Sequence, residues 1–159
     1  MHLKCLETVI FTLSIFFLSA NLIYGQEPDS SDNAYLQRIE RFFSKIDSGK
    51  YDKAINFIYS GNPWIADKYE DIENVKKQFI SLPEIVGSYA DKSLLVKEEI
   101  AGRYVYLYYF VAFGRQPVSF VFEFYKPKDK WMIFSFTFAD DVDTWVEERA
   151  KQKFYSQEN

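Results

Sequence analysis

The amino-acid sequence predicts an α+β fold, with N-terminal helices packed on a curved antiparallel β-sheet to form a cone-shaped roll. Three observations carry this reading. Residues 33–82 repeat apolar side chains at helical spacing, residues 104–138 alternate with a period of two, and short polar turns join the alternating runs. Connections that short leave no room for crossover helices, so neighbouring strands must run antiparallel.

Residues 26–32 read as a flexible lead and residues 33–139 as the roll. Tyr35, Leu36, Ile39, Phe42, Phe43 and Ile46 form the stripe of a first helix. Asp32 or Asn33 can cap its start and Gly49 can end it. A second helix carries Tyr51, Ala54, Ile55 and Ile58, and Ser60-Gly61-Asn62-Pro63 breaks it. A third is expected over 71–82, with Ile72, Val75, Phe79 and Leu82 as its stripe and Pro83 as its stop.

Strands are expected after Pro83. Ile85-Val86-Gly87-Ser88-Tyr89 opens the region, Leu94-Leu95-Val96-Lys97-Glu98-Glu99-Ile100 follows, and Ala101-Gly102-Arg103 turns the chain. A long strand over 104–113 and its return over 117–125 flank the loop Gly114-Arg115-Gln116. Lys126-Pro127-Lys128-Asp129-Lys130 is a polar turn, and 131–138 is the last strand. Residues 140–159 read as a short helix, over 140–151, and a loose tail.

Alternation assigns the side chains to faces. Val105, Leu107, Tyr109, Val111 and Phe113 share one face of the first long strand, opposite Tyr104, Tyr106, Tyr108, Phe110 and Ala112. Val118, Phe120, Phe122 and Phe124 oppose Pro117, Ser119, Val121, Glu123 and Tyr125. Met132, Phe134, Phe136 and Phe138 oppose Trp131, Ile133, Ser135 and Thr137. Of the 35 residues from 104 to 138, 14 are aromatic, so neither face is polar. One layer of helices covers one face only. The other requires a second subunit, a folded-over part of the same sheet, or a ligand.

The chain has 159 residues, 19% of them aromatic and 26% charged, the profile of a single globular domain. Its first 25 residues follow the secretory pattern: Lys4, a 16-residue apolar run over 9–24, the small Gly25, then a polar stretch. A membrane anchor is the rival, but a spanning helix needs about 20 apolar residues. Cys5 precedes the apolar run, where a lipoprotein cysteine would follow it. The expectation is an exported protein, periplasmic or extracellular, with no membrane association after signal cleavage.

The only histidine and cysteine, His2 and Cys5, lie in that leader. The mature domain then lacks Cys nucleophiles, Ser-His-Asp triads and His/Cys zinc sites. No phosphate loop or dinucleotide glycine motif is present. A net charge of −4 argues against nucleic acid. The expectation is therefore no cofactor and no metal. Asp140-Asp141-x-Asp143 lacks the spacing of a calcium loop and reads as the acidic start of the last helix.

The order of helices and sheet resembles the nuclear-transport-factor-2-like superfamily, the cystatin-like α+β roll. Phe42-Phe43 with Gly49-Lys50-Tyr51-Asp52-Lys53-Ala54, Gly87-Ser88-Tyr89, and Tyr125-Lys126-Pro127-Lys128-Asp129-Lys130-Trp131-Met132-Ile133 carry the resemblance over about residues 33–139. It implies a shape rather than an activity. Isomerases and dehydratases of the superfamily place acids, tyrosines or histidines in a pocket between sheet and helices. None of their catalytic positions matches a residue here.

Three functions stay open. The first is an exported, non-catalytic binding domain, dimeric, taking a protein or small apolar ligand. The second is an isomerase- or dehydratase-like enzyme using Glu123 or a tyrosine in the cone, provided Glu123 points into an open cavity near Tyr109 or Trp64. The third is a glycan or envelope-surface binder with exposed coplanar rings. Pocket candidates are Trp64, Tyr89, Tyr109, Glu123 and Trp131. Tyr104, Tyr106, Tyr108 and Tyr125 are interface candidates, because tyrosine packs its ring while its hydroxyl stays wet. For Glu123 the plain alternative is the outer face, paired with Arg115, Arg103 or a tyrosine hydroxyl. Trp64 has an alternative role as a plug for the open end of the core.

Overall fold

The computed structural model describes residues 32–156. The expected signal peptide and most of the expected lead lie outside the described residues. The first helix already includes Asp32. The element order is α1 (Asp32–Asp47), α2 (Tyr51–Tyr59), a 3-10 turn (Pro63–Lys68), α3 (Tyr69–Val86), β1 (Tyr89–Ile100), β2 (Tyr104–Phe113), β3 (Val118–Tyr125), β4 (Met132–Ala139) and α4 (Val142–Ser156). The strands form one antiparallel meander in the order β1-β2-β3-β4. The fold is α+β, with helices packed on a curved sheet.

The first two helices bury the stripes their spacing predicts: Tyr35, Ile39, Phe42, Phe43 and Ile46 from α1, and Tyr51, Ala54, Ile55 and Ile58 from α2. Phe42 sits at the centre. Its ring meets Phe43, Phe79, Phe120, Phe122 and Phe136 at centroid distances of 5.2–6.3 Å. Each fully buried phenylalanine removes enough apolar area from water to contribute about 2–3 kcal/mol before entropy is counted. The inner face of the sheet supplies Val105, Leu107, Tyr109, Val111, Phe120, Phe122 and Phe124 to the same core. The cone between helices and sheet is thus filled with side chains.

Two arginines tie helix ends to the rest of the chain. Arg38 on α1 donates to the carbonyls of Phe57, Ile58 and Ser60, which satisfies the C-terminal end of α2. Its guanidinium also lies over the Phe57 ring at 5.3 Å. Arg115 donates to the carbonyls of Glu84 and Ile85 at 2.7 and 3.2 Å and does the same for α3.

Helix α3 differs from expectation. It runs through Pro83 to Val86, and Ile85-Val86 belongs to it rather than to a strand. Pro83 removes one backbone donor, a local cost. Phe79, Leu82 and Val86 continue the buried stripe across it, and that burial outweighs the lost bond. The helix ends at Gly87, with φ +90°. A Cβ there would stand 3.1 Å from the Arg115 backbone nitrogen and 3.2 Å from the Gly114 Cα, so only glycine lets the two segments approach.

The hairpin between β1 and β2 turns through Ala101 and Gly102, both at positive φ (51° and 61°). Arg103 N–H donates to Ile100 O at 3.0 Å across it. This backbone twist matches that of the strands it joins. Two register shifts interrupt β1, between Tyr89 and Asp91 and between Leu94 and Val96. Such bulges bend an edge strand away from foreign pairing.

Helix α4 is longer than the expected 140–151 and has a role the sequence did not show. Its first turns lie on the outer face of the sheet. Trp145 stacks on Tyr108 at 5.5 Å with the ring planes 14° apart. Asp141 accepts a hydrogen bond from the hydroxyl of the buried Ser119 at 2.5 Å. The chain itself therefore covers part of the face that seemed to need a partner. From Val146 to the end of the described residues α4 is exposed.

Candidate functional site: an aromatic cleft at the hairpin end

The other end of the outer face is open. Its shape begins with a β-bulge. Glu123 pairs with Ser135 but Phe124 pairs with Ile133, so Phe134 is an extra residue without a cross-strand partner. Strict alternation put Phe134 on one face with Phe136, and Ile133 on the other. The bulge reverses this: Ile133 is 1% exposed, Phe136 2% and Phe134 59%. The Phe134 ring meets Tyr104 edge-on at 6.2 Å on the outer face.

The 3-10 turn supplies the opposite wall. Asn62 holds it in two directions. Its side-chain oxygen accepts from Trp64 N–H at 2.9 Å, which caps the turn, and its amide donates to Ile133 O at 2.7 Å. Tyr59 donates to Phe136 O at 3.4 Å. Those two bonds fasten the turn and the end of α2 to carbonyls of the edge strand β4. Between the walls lies a cleft of about 760 Å³. Trp64, Ile65 and Lys68 line one side, Tyr125, Met132 and Phe134 the other, and Pro127, Lys128, Asp129 and Lys130 of the β3–β4 turn close the end.

The sequence candidates divide. Trp64 stands 68% exposed at the cleft mouth and does not plug the core; Tyr125 lines the cleft at 42% exposure. Trp131 lies beside the cleft without lining it. Its ring packs edge-on against Tyr35 at 5.2 Å and under Lys126 Nζ at 4.7 Å. Tyr109 is buried on the inner face, where burial first, and then the charge of Glu40, pushes its hydroxyl up to about 12. Tyr89 lies at the far end, packed on Phe43 and Phe113, and lines a smaller cleft with Asp47, Asp52 and Glu84. Its hydroxyl is likewise raised to about 12, by burial and then by Asp91, Asp47 and Glu40.

Glu123 is half-buried on the outer face and accepts a hydrogen bond from the Tyr104 hydroxyl at 2.5 Å. Burial and then this bond raise Tyr104 to about 12. Burial, followed by the charges of Glu123 and Asp141, also raises Tyr106. The isomerase reading required Glu123 to face an open cavity near Tyr109 or Trp64. It lies on the face opposite Tyr109, because residues at odd and even positions of a strand take opposite faces and Phe122 and Phe124 take the inner one, and it does not line the cleft at Trp64. Tyr108 is a correction among the interface candidates: Trp145 covers it, leaving it 5% exposed.

Sequence reasoning missed Phe134, Met132, Ile65 and the lysines of the rim. Lys-Pro-Lys-Asp-Lys was legible as a turn, and its closeness to Trp64 was not. Among the described residues no group of His, Cys, Asp or Glu is placed to hold a metal ion, and no helix is long and apolar enough to cross a membrane. No family model, curated protein or solved structure matches the chain.

Proposed function

We propose that this is an exported, non-catalytic binding domain that takes an apolar ligand in the cleft between the 3-10 turn and the β3–β4 hairpin. One observation carries the reading. Three separate segments each hold a large ring in solvent around one cavity: Trp64, Tyr125 and Phe134, at 68%, 42% and 59% exposure. Large exposed rings gathered around one concavity are a costly surface unless something binds there. The export half of the proposal rests on the leader pattern of residues 1–25. The α+β order and the turn at 126–130 support a relation to the nuclear-transport-factor-2-like roll.

Titration with a neutral apolar dye such as Nile red tests the reading. Trp64→Ala and Phe134→Ser are expected to abolish most of the fluorescence gain. Both sites are exposed, so stability should stay within about 0.5 kcal/mol of the parent. Equal dye binding by parent and variants would overturn the proposal.

A homodimer is a second reading, favoured by the half-exposed Tyr104 and Tyr106 beside Phe134. Sedimentation separates the two, since a dimer through this face predicts a monomer in the Phe134→Ser variant.

A further inference from the structure

The rim of the cleft carries a charge opposite to that of the whole protein. Lys68 stands on one side, Lys128 and Lys130 on the other, and Asp129 is the only acid among the lining residues. Three lysines and one aspartate give a net charge of two positive, in a chain whose formal charge is −4. Four lysines elsewhere are paired, Lys76 with Glu73, Lys92 with Glu40, Lys97 with Glu99 and Lys151 with Glu147. Lys68, Lys128 and Lys130 have no ion-pair partner among the described residues. Inside the rim the walls are Trp64, Ile65, Met132 and Phe134.

We propose that the cleft takes a single-chain aliphatic carboxylate, its alkyl chain between the rings and its carboxylate at the lysine rim. This rests on the cleft being a ligand site, as argued above. Three features select the class. An apolar trough with a cationic mouth matches an amphiphile bearing one negative head and rejects a cationic one. No arginine lines the cleft, so the planar fork that grips phosphate in two-point geometry is absent, whereas lysine serves a carboxylate as a point charge. Trp64, Tyr125 and Phe134 make no ring contact with one another. They leave a gap that a flexible chain can thread, not a parallel pair that would clamp a flat ring. At about 760 Å³ the space lies in the range of sites that hold one small ligand, which suits one chain better than a two-tailed lipid.

Displacement of bound Nile red tests this, with octanoate, decanoate and dodecanoate against the alcohols and amines of equal length, all below their aggregation limits. Affinity should rise with length, up to about fourfold for each methylene buried. Dodecanoate should bind at least about fivefold tighter than dodecanol at low salt, and the advantage should shrink as salt screens the rim. The triple variant Lys68→Gln, Lys128→Gln, Lys130→Gln should bring the ratio of dodecanoate to dodecanol affinity down to about one. Equal affinity for acid and alcohol on the parent protein would overturn the head-group assignment and leave the apolar cleft standing. Preference for the amine would overturn it too. Failure of every chain to displace the dye, or dodecanoate binding untouched by Trp64→Ala and Phe134→Ser, would overturn the cleft along with it. Protein self-association that competes with dodecanoate would assign the cleft to a second copy instead.

Discussion

Phe122 and Phe134 lie on adjacent strands of one hairpin. Phe122 is fully buried on the inner face, against Phe42 at 5.3 Å, Tyr109 at 5.7 Å and Phe136 at 4.9 Å. Phe134 stands mostly in solvent on the outer face, touching one ring, Tyr104, at 6.2 Å. The two faces hold similar side chains and differ in what lies over them. The inner face is roofed by α1, α2 and α3, and its rings interlock. The outer face is roofed at one end by the first turns of α4 and is open at the other, where the cleft forms. A ring's residue type therefore does not tell whether it serves stability or binding; the layer above it does.

Phe122→Ala should break the inner face hardest. It removes a ring from a packed site that cannot collapse, and a loss of about 3–5 kcal/mol is expected, read as a lowered denaturant midpoint with the slope kept. A loss below about 1 kcal/mol would mean the inner face is loosely packed and the contrast with Phe134 is false.

Trp145→Ala tests the roofed end of the outer face. The stacked pair with Tyr108 and the burial it provides are worth about 1–2 kcal/mol. Hydrogen exchange should quicken in α4 while amides of β2 and β3 keep their protection. Uniform loss of protection would show that α4 is part of the core and not a local cover.

The smallest effect is nil at neutral pH and emerges in alkali. The half-buried Tyr59, the buried Tyr109 and Tyr104 on the outer face have hydroxyls raised to about 12 from the usual 10. Folding thus opposes their ionisation. Stability should be full below pH 10 and fall as pH rises towards 12, where the unfolded chain releases protons that the folded chain retains. Glu123→Gln should lower the Tyr104 value, by removing the charge and changing the bond to its hydroxyl, and leave Tyr109 unchanged. Residue-resolved NMR titration checks this. An unmoved Tyr104 would show that burial alone sets it.

Much of the inner architecture was legible. The stripes of α1 and α2 and the inward sets of β2 and β3 follow from spacing alone, because a helix or strand presents its faces with a fixed period. Three features were not. Pro83 reads as a stop, yet burial of Val86 beyond it extends α3. Phe134-Ser135-Phe136-Thr137-Phe138 reads as perfect alternation, yet a bulge turns Phe134 out. The residues after 140 read as a short helix and tail, yet Asp141 and Trp145 dock on Ser119 and Tyr108. Of the site, Trp64 and Tyr125 were named from sequence, while Phe134 and the lysine rim were not.

By itself the sequence determined which side chains must avoid water and which local geometry each segment takes, since periodicity and turn chemistry act between near neighbours. Only the tertiary structure decided which aromatic rings are roofed and which stand open. Coverage depends on segments far apart in the chain, such as residues 62–68 and 125–134, and on a ladder slip between Phe124 and Ser135 that no repeat in the sequence announces.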